Sequence, residues 1–198
     1  MAGTLPGEVG RAIDGALALF IGRAPPPGSF DVSAGGFWRS FGAIVLVLPS
    51  FAVMLAAELG MGAAAEVAEG QDEAAWFVAS RLVGLAIDWV ALPLLLAVLA
   101  GPLGIGGRYA GFVVVRNWGS VVAAAVYALP ALLYNLDVVG ESTAVLLSLV
   151  AFVAVVRFQY AIVRAALATP VPTSIGLVVL DLALSLVIGE MVARLAGG

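Results

Sequence analysis

The sequence predicts an all-α, polytopic membrane protein: five transmembrane helices preceded by an amphipathic helix at the membrane interface. Three observations carry that expectation. Of the 198 residues, 63% are hydrophobic and only 11% charged, with a mean hydropathy of +1.12, whereas soluble domains run at about 45–50% apolar and about 25% charged. Five apolar stretches reach the roughly 20 residues that a helix needs to cross a hydrocarbon core. The loops between them alternate between arginine-bearing and acidic. A soluble core of this length could not hide so much apolar surface, while a bilayer accepts it.

Residues 1–35 form a first region of amphipathic helix and linker, and 36–198 the transmembrane domain. GEVGRAIDGALALFIGR places Val9, Ile13, Ala16, Leu17 and Phe20 on one helical face and Glu8, Arg11, Asp14 and Gly15 on the other. The apolar run is short, acids intrude upstream and no small-residue cleavage site follows, so an interfacial helix is expected rather than a removed leader. It either covers the bundle or docks a partner. RAPPPGSFDVSAGG then links it to the first span.

The spans are expected at about 40–59, 76–100, 117–136, 142–163 and 174–195. Between the second and third, GPLGIGGRYAGFVVVR (101–116) reads as a loop or short surface helix because of its glycines and two arginines; a sixth crossing there is the weaker alternative. Trp38, Trp76 and Trp118 fall at expected helix ends, where indole rings favour the headgroup region. Pro49, Pro93 and Pro130 interrupt spans and are expected to kink them for packing.

Orientation follows from the arginines, since positively charged loops are retained in the cytoplasm. Arg11, Arg23 and Arg39 precede span one, Arg108 and Arg116 lie between spans two and three, and Arg164 closes span four. The alternate loops carry Glu58, Glu66, Glu69, Asp72 and Glu73, then Asp137 and Glu141. The N-terminus is therefore expected inside and the C-terminus outside.

Charges within the spans mark the candidate site. Arg81, Gly84 and Asp88 form one helical stripe, and Ser174, Asp181 and Ser185 share a face of the last span. An ionised carboxylate near mid-membrane costs about 2.5–3.5 kcal/mol on insertion scales, so each acid needs a partner, a wet cavity or a proton. At about 1.5 Å per residue both acids land in the inner half of the core. Arg157 reaches a similar level and is the expected counter-ion, with Tyr160 and Arg164 continuing its face. The third span contributes Asn117 on a small-and-polar face. The expected cluster is Asp88, Asp181, Arg157 and Asn117, with Tyr160 and Arg116 near its cytoplasmic mouth. It reads either as a static bridge fixing helix register or as a proton or solute pathway. Glu190 and Arg194 are an exposed i, i+4 pair.

The chain contains no Cys and no His, which removes thiolate nucleophiles, disulfides, the usual soft metal ligands and the commonest general base. No serine stands in a G-x-S-x-G context and no G-x-x-x-x-G-K-[ST] loop is present. The small-residue spacing in GGRYAG (106–111) is what a Gly-rich turn produces by chance. No enzyme, cofactor or metal is expected, and the net charge of −4 argues against nucleic acid as a partner.

The phrases FDVSAGGFWRSFGAIVLVLP, VVVRNWGSV and IGLVVLDLALSL are similar to those of alphaproteobacterial inner-membrane proteins of uncharacterised activity, and the five-helix layout resembles the Yip family. The DLYGP signature of eukaryotic Yip proteins is missing. The resemblance implies a five-helix topology in a bacterial inner membrane, no substrate, and no functional residue to carry over. Two functions remain: an accessory or scaffolding subunit bound to the bilayer and to another membrane protein or a second copy, or a small proton-linked transporter or channel built on Asp88 and Asp181. The absence of an internal repeat and of paired broken helices favours the first.

Overall fold

The computed structural model describes residues 5–61 and 71–196; Glu66 and Glu69 of the acidic loop lie outside them. Among these residues seven α-helices follow one another: α1 (Leu5–Phe20), α2 (Ala34–Ser40), α3 (Ile44–Gly60), α4 (Gln71–Leu99), α5 (Gly106–Asn135), α6 (Glu141–Leu167) and α7 (Val171–Ala196). A 3₁₀ turn, Phe41–Ala43, joins α2 to α3. Five helical stretches are long and apolar enough to cross a membrane: Ala34–Gly60, Ala75–Leu99, Gly106–Asn135, Glu141–Leu167 and Val171–Arg194.

The largest departure from the sequence reading concerns 101–116. Only Gly101–Ile105 is irregular, and α5 begins at Gly106 rather than near 117. The glycines of GIGGRYAG were read as loop formers, but Gly106, Gly107 and Gly111 stand in the first two turns of α5. Arg108 is held there by donating from Nη1 to the Leu167 carbonyl at 2.9 Å, which also satisfies one of the orphan carbonyls at the end of α6. The other spans extend beyond their expected limits by a few residues, and the first starts six residues early because Ser33 caps α2. Its side chain accepts from the Gly36 amide at 3.1 Å.

α5 is the axis of the bundle. In its most apolar window 67% of residues are buried, against 22% in each of the other four spans, so four spans face the surroundings and one is enclosed. α3 runs parallel to it, Ser40 meeting Asn117 and Gly60 lying beside Tyr134. α6 runs antiparallel, with Ile162 and Phe158 against Gly119; a Cβ at Gly119 would lie 2.5 Å from Ile162 Cδ1, so a larger residue there would have to displace the Ile162 side chain. α4 packs mainly on α7, antiparallel, with Asp88 opposite Ser185 and Gly84 opposite Val192.

α1 docks against α5 and α6 through a face that overlaps the expected one and is turned toward its small residues: Ala16 is buried and Val9, Ile13 and Phe20 pack half-buried on the core. Glu8, Ala12, Gly15, Ala16 and Leu19 are buried, while Leu17 is 45% and Ile21 59% exposed. Small residues at the centre of the interface let the backbones approach, and Leu17 is the one residue of the expected face that turns outward. Glu8 is tolerated there because Arg39 Nε donates to its carboxylate at 3.0 Å.

Candidate functional site

The site grows from three helices meeting at similar depth. At 1.5 Å per residue, Arg116 lies about 15 Å into α5, Asp181 about 15 Å into α7 and Asp88 about 16 Å from the end of α4, close to the middle of a core about 30 Å thick. Arg116 Nη2 donates to Asp181 Oδ1 at 3.3 Å, with the two side chains 5% and 13% exposed. Its Nη1 approaches the Trp89 carbonyl at 3.5 Å. Pro93 explains why that carbonyl is available: proline has no amide hydrogen, so the carbonyl four residues earlier in α4 loses its helical partner. The Pro93 carbonyl itself accepts from Tyr109 Oη at 2.8 Å, tying α4 to α5 a second time. Arg116 Nε has no partner among the described residues.

Asp88 is held differently. Ser185 Oγ donates to its Oδ1 at 2.6 Å, joining α4 to α7. The Arg81–Gly84–Asp88 stripe faces protein as expected from its spacing, and Arg81 pairs with Glu58 of α3. Two acids therefore meet one arginine in the middle of the bundle: Asp181 takes the charge partner and Asp88 takes a hydroxyl.

A cavity of about 420 Å³ opens beside these groups between α5, α6 and α7. Asp88, Asp181, Arg116, Ser120, Gln159 and Ser185 supply its polar wall, and Tyr127, Phe152, Val155 and Leu186 are among its apolar lining. Its dimensions match ordinary small-ligand sites, which are mostly apolar with a few convergent polar groups.

The arginine expected to complete the cluster is elsewhere. Arg157 Nη2 donates to the Phe20 carbonyl at the end of α1, beside the edge-to-face contact of Phe20 with Phe158 at 5.3 Å. Arg116 takes its place because the early start of α5 carries it from the expected mouth to mid-bundle. Asn117, one residue on and about 100° around the helix, points away from the acids: its Nδ2 donates to Ser40 Oγ at 3.0 Å. Tyr160 packs on the apolar core rather than at a mouth. Ser185 was legible as a face-mate of Asp181, but its role as the partner of Asp88 was not. Ser120 belonged to the small-and-polar face of the third span, read as a packing surface, and Gln159 carried no signal that placed it here. The expected Glu190–Arg194 pair is present, Nε to Oε1 at 2.7 Å and exposed.

Outside the membrane-spanning helices, Asp31 organises the junction between α1 and α2. Hydrogen bonds from the Ser33 side chain and amide, the latter 2.9 Å long, hold its carboxyl below the usual range, helped by Arg39 at 2.6 Å against a small opposing effect of burial. No family model matches this chain, and neither a curated protein nor a solved structure shows significant similarity to it.

Proposed function

We propose that this multi-pass membrane protein is a non-enzymatic, small proton-linked transporter or channel that works through the polar site around Asp88 and Asp181. The cavity carries this reading. A cluster serving register alone is expected to close up, because protein interiors pack as densely as organic crystals and charge-assisted bonds shorten to about 2.7–2.9 Å. Here a 3.3 Å ion pair borders about 420 Å³ of open volume at membrane depth, and among the described residues the second acid has no basic partner. The arginine distribution supports a cytoplasmic N-terminus, and the resemblance to alphaproteobacterial proteins supports a bacterial inner membrane.

The test is flux. Purified protein in phosphatidylcholine–phosphatidylglycerol vesicles containing a pH-sensitive dye should acidify the lumen faster than empty vesicles when a potassium diffusion potential, negative inside, is imposed. Rates equal to those of empty vesicles at all pH values would reject the reading.

The accessory or scaffolding reading has its own observation. The polar side chains within the bundle spend their bonds on different neighbours: Arg116 on α7, Ser185 on α4, Asn117 on α2, Arg157 on α1, Arg81 on α3. Such ties fasten a bundle and leave its outer faces for another membrane component. A fixed-stoichiometry complex in mild detergent, together with inert vesicles, is the outcome that favours it.

A further inference from the structure

Asp88 and Ser185 are shared by two cavities. The first is the 420 Å³ cavity between α5, α6 and α7. The second, about 210 Å³, lies among α3, α4 and α7 and is lined by Phe51, Arg81, Gly84 and Val192 as well as by Asp88 and Ser185. The hydrogen-bonded pair thus stands in the seam between α4 and α7 with open volume on both sides. Each volume far exceeds the ~30 Å³ taken up by one water, and each has polar groups to hold water in place. Along α7 the two cavities run from Val178 to Val192, about 21 Å at 1.5 Å per residue, of a core about 30 Å thick.

We infer that the two acids have separate tasks: Asp88 is the proton-carrying group, relaying protons between water in the two cavities, and Asp181 is the fixed counter-charge that seats Arg116. The inference rests on the transport reading above and goes further by naming the relay and its partition. A hydronium in one cavity gives its proton to the Asp88 carboxylate, leaving water; the new carboxyl O–H then breaks toward a water in the other cavity, restoring the carboxylate. Neutral Asp88 leaves the Arg116–Asp181 pair balanced, and ionised Asp88 leaves one negative charge, so only the proton on Asp88 changes between the two states. The charged and titratable groups facing it are Arg116 and Tyr127 from α5, Asp181 from α7, and Arg81 on its own helix, the last already paired with Glu58 of α3. None of them borders both cavities.

Three variants in the vesicle assay decide the matter, with melting of the far-UV circular dichroism signal measured on each. Asp88→Asn should fold as the parent does and bring proton flux down to that of empty vesicles. Ser185→Ala should fold as the parent does and lower flux severalfold, because the hydroxyl that holds the Asp88 carboxylate in the seam between the two cavities is lost. Asp181→Asn should lower the melting temperature while the protein that remains folded still conducts. Parental flux that vanishes in Asp181→Asn but survives in Asp88→Asn would overturn the assignment while leaving transport intact. If Asp88→Asn does not fold, parental flux in a folded Ser185→Ala overturns it instead. Flux that follows a sodium gradient and ignores pH would overturn the proton as the carried ion.

Discussion

Arg116 ties three helices together through one side chain. It is 95% buried by the side-chain measure, 5% being exposed, and its contacts reach α4 and α7 from α5. Removing one partner of such a pair strands the other charge, at about 3–5 kcal/mol, whereas replacing both with apolar groups of similar volume is often neutral or stabilising. Arg116→Met and Asp181→Leu should therefore each lower thermal stability in detergent by about that amount, and the double variant should recover most of it. Additive losses would show that the two residues do not act as a pair. Asp31 sets a pH dependence of opposite locality, at the edge of the fold. Its carboxyl is held below the usual range when folded, so its contribution is complete above the unfolded value and is lost as pH falls through the folded one. Docking of α1 should accordingly hold through neutral and mildly acidic pH and loosen only in strong acid, which cleavage within α1 by pepsin, active in acid, would report when measured at each pH.

Elements are joined here by small residues as much as by large ones. Gly15 in α1 lies so close to the linker that a Cβ would stand 2.5 Å from Ser29 Cβ, and Gly119 in α5 has the same relation to Ile162. Overpacking of this kind typically costs about 1–3 kcal/mol. Gly119→Val should thus destabilise the α5–α6 pair within that range, and the pairing Ile162→Ala should recover part of the loss; a neutral Gly119→Val would mean that the crossing has slack. At Gly36 a Cβ would collide with the Asp31 carbonyl, a backbone atom with no rotamer to give. Gly15 and Gly119 thus serve as packing surfaces in two helices.

For the whole molecule, the consequence of five spans is that the ends of α5 emerge on opposite sides. The chain contains no cysteine, so single reporters can be introduced without background. Leu103→Cys and Val138→Cys, at exposed positions flanking α5, should react with a membrane-impermeant maleimide from opposite faces. On the proposed orientation, position 103 is expected to label from the cytoplasmic face. Labelling of both from one face would remove the five-span arrangement.

What the residues determined by themselves was the class of object, because hydropathy and span length are local sums that need no partner. The number of spans follows from those sums, and the Arg81–Gly84–Asp88 stripe and the exposed Glu190–Arg194 pair were legible because each follows from one helix and its 3.6-residue period. The partners of Asp88 and Asp181 were not, since pairing depends on how one helix is rotated and shifted against another. A start eleven residues earlier for α5 carried Arg116 to mid-membrane, and the docking of α1 drew Arg157 to the Phe20 carbonyl. Tertiary structure alone decided which arginine met the acid, because depth and azimuth, unlike composition, are properties of the assembled bundle.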